Sequence, residues 1–329
     1  MPLDMKKVLV TGATGFIGFE LARQLSEVGL RPRLLVRRPH RAPLLASLDA
    51  ELVQGDLLSP ASLARAVRGV DTVFHLAARA SFESYARLKP TIVDGSASLM
   101  RAAADAGVSS FVFASSLFVH GSTETPIDAA TPPAPELDYG RAKVEAETRL
   151  AAIAADAGIA LAGVRLPHVY GAHSVLFQQV RKGLAIFPGP MTNRCGHLHV
   201  EDAARALREV ARQRWTGASA LADGHAADWI EFFAVLKELY PRFRLLRLPK
   251  WVGYAGAAMA APLRLLASGP SLYTAGTVTG FNLSLPVARD ALWSDLGTRP
   301  RYESIHAGIP AVLDSHLHFR WRHPMFDRA

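Results

Sequence analysis

The stretch Val8-Leu9-Val10-Thr11-Gly12-Ala13-Thr14-Gly15-Phe16-Ile17-Gly18 limits this chain more than any other, because an apolar run there meets three glycines spaced three apart. The run is short and follows Lys6-Lys7, the pattern of a buried parallel strand. Beyond it Ile17, Leu21, Leu25 and Val28 recur at helical spacing, so a strand must turn tightly into a helix. Glycine at 12, 15 and 18 lets the backbone turn, lets a pyrophosphate approach main-chain N–H groups, and lets helix pack close to strand. The helix start, Thr14 to Ile17, then offers unpaired N–H donors and a partial positive charge. These features together describe a dinucleotide clamp. The α/β alternation that follows predicts a doubly wound parallel sheet with helices on both faces.

The second strand, Arg33 to Val36, ends in Arg37-Arg38. An acidic residue about 20 positions beyond the glycines would hydrogen-bond ribose hydroxyls, whereas arginine accommodates a 2′-phosphate. Arg37 and Arg38 without a carboxylate therefore favour NADP(H) over NAD(H). Further strands are expected at Glu51 to Asp56, Thr72 to Leu76, Ser110 to Ala114 and Ile159 to Val164, with helices at 60–69, 90–106 and 139–157. His75, inside one of these strands, reads as structural.

Tyr139 and Lys143 stand four apart on the last of these helices, so they share a face. A free phenol has a pKa near ~10; a neighbouring ammonium and nicotinamide that lowered it by ~3 units would supply ~4 kcal/mol in favour of phenolate. Tyr139 is then a candidate general acid or base, with Lys143 as its partner.

The 329 residues suffice for one large α/β unit, expected at 1–170, and a smaller substrate lobe, expected at 171–329 with a return to the core near 196–215. Half the residues are apolar and a fifth charged, unlike a disordered chain. The single cysteine, Cys195, excludes an internal disulfide framework and fits a reducing compartment, and its thiol reads as idle. No signal-peptide core precedes the first strand, which points to the cytoplasm. The net charge of +8 is scattered, with no basic run longer than Lys6-Lys7 or Arg37-Arg38 and no aromatic interleaving, which argues against nucleic acid.

The motifs as a set resemble the extended short-chain dehydrogenase/reductases, the superfamily of nucleotide-sugar epimerases and dehydratases, on the reductase branch that includes dihydroflavonol reductases and 3β-hydroxysteroid dehydrogenases. Thr-Gly-Ala-Thr-Gly-Phe-Ile-Gly at 11–18 matches that family's nucleotide loop. Gly55-Asp56-Leu57 resembles the segment whose aspartate meets the adenine, and Leu76-Ala77-Ala78 the small-residue wall along which the cofactor lies. Ser115-Ser116-Leu117-Phe118-Val119-His120-Gly121 resembles the segment whose second serine binds the substrate oxygen, which makes Ser116 a candidate; Leu117 and Phe118 then adjoin the substrate. The dehydratase branch carries Asp-Glu at those two positions, so dehydration lacks its acid and base here. Pro167, His168 and Val169 fall in the loop beside the nicotinamide. The resemblance also gives Lys143 the cofactor ribose hydroxyls. Ile92 stands where the family usually has asparagine.

In the second half, Gly183 to Gly196 is expected to be a substrate-facing loop, with Arg194 a weak substrate candidate. Cys195 occupies the place of the epimerases' diphosphate-binding arginine, which favours the reductase branch. Helices are expected at Trp229 to Leu239 and at Pro286 to Leu296, the latter capped by Ser284. The apolar run Trp251 to Leu263 is too short for the ~20 residues that span a bilayer, and is expected to cover the substrate cleft, with lying on a membrane surface the alternative. His316 and His318 point to metal only faintly, so no metal ligand is assigned. The resulting expectation is an NADP(H)-dependent oxidoreductase interconverting a ketone and a secondary alcohol on an apolar small molecule such as a steroid or flavonoid, working as a homodimer without stable membrane insertion. A nucleotide-sugar 4-epimerase is the main alternative, and a non-catalytic NADP(H)-sensing regulator the other.

Overall fold

All four residues of β1 (Val8–Thr11) are buried, and they alternate between the two faces of a sheet: Val8 and Val10 join one apolar cluster and Leu9 another. The computed structural model describes residues 5–266, 274–289 and 291–322. From β1 the chain continues through α1 (Phe16–Glu27), β2 (Arg33–Val36), β3 (Glu51–Gln54), α2 (Pro60–Ala66) and β4 (Thr72–His75). It then runs through α3 (Tyr85–Lys89), α4 (Gly95–Asp105), β5 (Ser110–Ser116), α5 (Asp138–Ala157) and β6 (Ala160–Leu166). Next come β7 (His168–Tyr170), α6 (Val175–Arg181), β8 (Leu184–Pro188), β9 (Arg194–Cys195), β10 (His197–His199), α7 (Val200–Arg212) and β11 (Gly217–Ala220).

The main sheet has seven strands in the order β11-β6-β5-β4-β1-β2-β3, paired in parallel throughout. The chain winds outward from β1 to β3 and then returns to lay β4 on the other side of β1. That reversal opens a crevice at the carboxyl ends of β1 and β4, where α/β sheets bind ligands. One face is sealed by α1 and α7 through Leu21, Leu25, Leu207 and Val210, the other by α2, α4 and α5 through Leu63, Leu99, Met100 and Leu150. Each such side chain contributes about 1.5–3 kcal/mol by leaving water.

The remaining elements are β12 (Ala227–Asp228), α8 (Trp229–Leu239), β13 (Arg244–Leu248), α9 (Lys250–Leu266), α10 (Ala275–Phe281), α11 (Ala291–Asp295) and α12 (Ile305–Arg322). Most surround a third, aromatic cluster in which Phe187, Trp229, Phe232 and Phe233 meet at ring separations of 5.5–6.2 Å. By contrast α11 crosses back, and its buried Trp293 enters the cluster beneath α7, donating to Ala222 O at 2.7 Å.

Three segments depart from the sequence-based expectation. The helix expected at 90–106 begins at Tyr85 and runs through a wide π turn at Pro90–Asp94 before α4. Proline has no N–H for the regular ladder, and the wider turn absorbs the interruption. The expected loop 183–196 contains β8, whose alternating exposure marks a strand, and β8 pairs in parallel with β13. The expected helix Pro286 to Leu296 shrinks to α11. Ser284 does not cap it, because residues 284–288 are extended: Leu285 N–H donates to Arg194 O, and Ile127 bridges Val287. A helix there would leave those lobe backbone groups unpaired.

Candidate active site

The nucleotide loop is a steric fit to its glycines. Gly12 has φ +77°, and a Cβ on it would lie 2.7 Å from Ala77 N; a Cβ on Gly18 would collide with Gly12 O. The turn closes through Gly15 N–H to Gly12 O at 2.9 Å. Gly15 is the N-cap of α1 and provides no side-chain cap, so the first N–H groups of α1, next to exposed Thr14 and half-buried Phe16 and Ile17, remain available to a phosphate. Across the crevice Leu76, Ala77 and Ala78 form a half-buried wall. A cradle a Cβ would fill, unclaimed helix N–H donors and a wall of small side chains fit a dinucleotide pyrophosphate.

The wall is fixed by a directed chain of buried hydrogen bonds. Ser96 Oγ–H donates to Ile92 O at 2.5 Å, so Ser96 accepts from His75 Nε2–H at 2.8 Å. Thr11 Oγ–H then donates to His75 Nδ1 at 2.7 Å and accepts from Ala77 N–H at 3.2 Å. These directions assign the neutral Nε2–H tautomer. Burial, with a smaller contribution from Lys143, pushes the His75 pKa down to about 3. His75 is thus structural, as its sequence setting implied. Ile92 is buried beneath this chain and presents only its carbonyl to it.

Arg37 and Arg38 are exposed at the carboxyl end of β2, and neither has an ion-pair partner among the described residues. Asp56 Oδ1 accepts from Leu58 N–H at 3.0 Å, and Leu57 is buried against Gly95. Pro167, Val169 and His168 are half-buried beyond β6. The His168 imidazole is engaged within the lobe: its Nδ1 lies 3.0 Å from His197 Nδ1, its ring 4.8 Å from Trp229, and burial pushes its pKa to about 4.

Ser116 ends β5, and its Oγ accepts from Phe118 N–H at 3.3 Å. Tyr139 opens α5, and Gly140 lets that helix start close against the turn after Ser116, since a Cβ there would collide with Phe118 O. The Tyr139 ring is walled by Phe82 at 5.8 Å and Phe118 at 6.3 Å. Lys143 is buried; its Nζ donates to Ala114 O at 2.6 Å and stands 5.8 Å from the Tyr139 ring centre. The three candidates therefore converge at the carboxyl end of β5.

Burial pushes Tyr139 up to about 12 and Lys143 down to about 8. Leu117 is buried in the lobe cluster, whereas Phe118, packed against the same cluster, also faces Tyr139. Arg194 is exposed, with Nε donating to Ala226 O at 3.1 Å. Cys195 is buried and burial pushes its thiol up, in keeping with an idle thiol.

Sequence reasoning missed Phe82, which no motif flags, and the buried support behind β5. There Ser115 Oγ–H donates to Glu147 at 2.5 Å, and Glu147 pairs with Arg165 at 2.9 Å. It also missed that His225 and His306 both place Nε2 at 2.8 Å from one oxygen of Glu231, two imidazoles and a carboxylate from separate segments. The His316 and His318 side chains, like those of Leu265, Leu266 and Tyr273, lie outside the described residues. Among the described residues no helix is long and apolar enough to cross a membrane.

A glycine-cradled crevice beside a converging Ser-Tyr-Lys set defines a nicotinamide-dependent oxidoreductase of the extended short-chain type. Residues 8–220 match the NAD dependent epimerase/dehydratase family, to which this chain belongs. It is 31% identical to the ceramide reductase of Caulobacter vibrioides over 94% of this chain and 92% of that protein. It is 30% identical to the 2-alkyl-3-oxoalkanoate reductase of Stenotrophomonas maltophilia over 61% of this chain and 63% of that one. Among solved structures, MoeE5 in complex with UDP-glucuronic acid and NAD superposes with a TM-score of 0.74 at 27% identity, covering 96% of this chain and 99% of that one.

Proposed function

We propose that the protein reduces a ketone on a long-chain apolar substrate to a secondary alcohol, using NADPH. The observation that carries this reading is the packing of Tyr139 directly onto the turn that follows Ser116, with Lys143 behind both. With a phenol at about 12, Tyr139 is protonated at neutral pH and ready to donate its proton to a carbonyl oxygen. Ser116 Oγ–H orients that oxygen, and Lys143 keeps two of its three protons for further acceptors beyond Ala114 O. When bound, the nicotinamide supplies the hydride. Gly12, Gly15, Gly18 and the α1 N-terminus would hold its pyrophosphate, Asp56 its adenosine, and Arg37 and Arg38 a 2′-phosphate.

Phe82 and Phe118 give the phenol apolar neighbours, and no carboxylate stands at 117–118 to eliminate water. The likeness to a ceramide reductase over nearly the whole of both chains supports a ketone carried on a lipid skeleton. The likeness to MoeE5 with its UDP-sugar supports the epimerase alternative, against which stand Cys195, buried, and Arg194, tied to Ala226. The deciding experiment follows NADPH consumption with long-chain ketolipids, 2-alkyl-3-oxoalkanoates, steroid ketones and UDP-hexoses. Consumption with a long-chain ketone is the expected result. Conversion of a UDP-hexose to its epimer with no net NADPH use overturns the reading.

A further inference from the structure

The face formed by β8, β13 and α9 is apolar, cationic and uncovered. In the β8–β13 pair Leu184 lies opposite Arg244 and Ile186 opposite Leu246, so these four side chains share the outward face of the strands. Ile186 is 52% exposed and Leu246 46%. On α9, which packs on β8 through Gly253 against Pro188, Trp251 is 72% exposed and Met259 80%. Large side chains exposed to that degree on adjoining elements mark a binding surface rather than ordinary surface scatter. At the foot of α9 an open hollow of about 330 Å³ is lined by Gly189, Pro190, Arg247, Leu248, Pro249 and Lys250.

The charge says what covers this face. Arg242, Arg244, Arg247 and Lys250 lie on or beside β13 and the start of α9, and residues 241–289 contain no Asp or Glu, nor do residues 172–200. A second copy of the chain would set these cations against themselves. An anionic phospholipid surface satisfies both halves of the pattern: apolar side chains enter the headgroup boundary while arginine and lysine meet phosphates. We infer that the protein docks on anionic membrane through this face, with Trp251 and Met259 immersed and a lipid phosphate seated between Arg247 and Lys250.

The face also leads to the phenol. α9 is tied to α10 by Tyr254 OH and Thr279 Oγ1 at 3.1 Å; α10 lies on Phe82 through Gly276 and Gly280, and Phe82 stands edge-on to Tyr139. The proposed docking face therefore lies two packed helices from the proposed catalytic tyrosine. Docking itself does not depend on the reductase reading, since it is measured without substrate.

The test floats the full chain with vesicles of equal phosphatidylglycerol and phosphatidylcholine, and with phosphatidylcholine alone. Binding to the anionic vesicles is expected, weakened by salt. Trp251 fluorescence, taken as the difference between the chain and Trp251→Phe, shifts to the blue. Arg244→Glu with Arg247→Glu, and separately Trp251→Glu with Met259→Glu, lower partitioning by ~10-fold or more while NADPH affinity, which reports folding, stays the same. Failure to float with anionic vesicles overturns the inference. So does flotation indifferent to both pairs of substitutions, or a dimer without lipid in which Trp251 is already shielded from a soluble quencher.

Discussion

Replacing His75 with leucine separates the folding role of the buried polar chain from its protonation. The leucine loses both imidazole bonds and leaves the Thr11 hydroxyl proton without its acceptor in a fully buried site. That costs about 1–3 kcal/mol near pH 7.5, so a gap of about 2 kcal/mol is expected between the two proteins. The gap depends on pH in a known direction. The folded imidazole has its pKa pushed to about 3, so it stays neutral, while the unfolded chain takes up a proton near 6.5. The His75 contribution is therefore whole above pH 6.5 and is lost as pH falls toward 3. Between pH 6.5 and 5 the loss reaches about 2 kcal/mol, at 1.36 kcal/mol per pH unit. The leucine variant has no such term, so the two stabilities should meet near pH 5. Urea unfolding followed by circular dichroism at pH 7.5, 6 and 5 measures this. A gap that stays constant across these values would refute the neutral-imidazole argument, and no gap at pH 7.5 would refute the hydrogen-bond argument.

Tyr139→Phe should keep NADPH affinity and cut kcat by ~10²-fold or more, whereas Lys143→Ala should lower both, as read by steady-state kinetics and fluorescence titration. Because burial puts the Tyr139 phenol at about 12, Tyr139 stays a competent acid through neutral pH, and the reverse alcohol oxidation should speed up as pH rises. NADPH should bind ~10-fold tighter than NADH, about 1.4 kcal/mol, and Arg37→Ala should erase most of that difference in paired titrations. Gly140→Ala should cost about 1–3 kcal/mol by driving its Cβ into the Phe118 carbonyl, while Gly256→Ala, with open space around its Cβ, should gain about 0.5–1 kcal/mol; thermal melts compare the two.

The strand–helix alternation through β6 was legible because its apolar periods are local: a buried run, a glycine turn and a helical stripe all fall within a few residues of one another. The meeting of Ser116, Tyr139 and Lys143 was legible for a similar reason, each standing where a strand ends or a helix begins. What failed depends on distant partners. The β8 strand is defined by β13, some sixty positions on, and the extended stretch around Leu285 by hydrogen bonds to Arg194 and Gly196. Spacing places Lys143 near Tyr139 but says nothing of burial, which pushes the phenol up to about 12. The short turn after Ser116 sends Leu117 into the lobe cluster and leaves Phe118 against Tyr139, a division that two adjacent apolar residues do not reveal in the sequence.

The placement of Trp293 bears on how the protein can be divided. Matching to the family stops at residue 220, where β11 completes the sheet, and that would be the natural point at which to cut out a free-standing nucleotide half. Yet Leu292, Trp293 and Leu296 fill the cluster under α7, and the Arg205 guanidinium stacks 4.9 Å from the indole. A fragment ending at 220 would expose that slot to solvent together with the alanine-rich underside of α7. Expressed alone it should be sticky and prone to aggregate, and a synthetic peptide spanning α11, supplied in trans, should bring it back into solution.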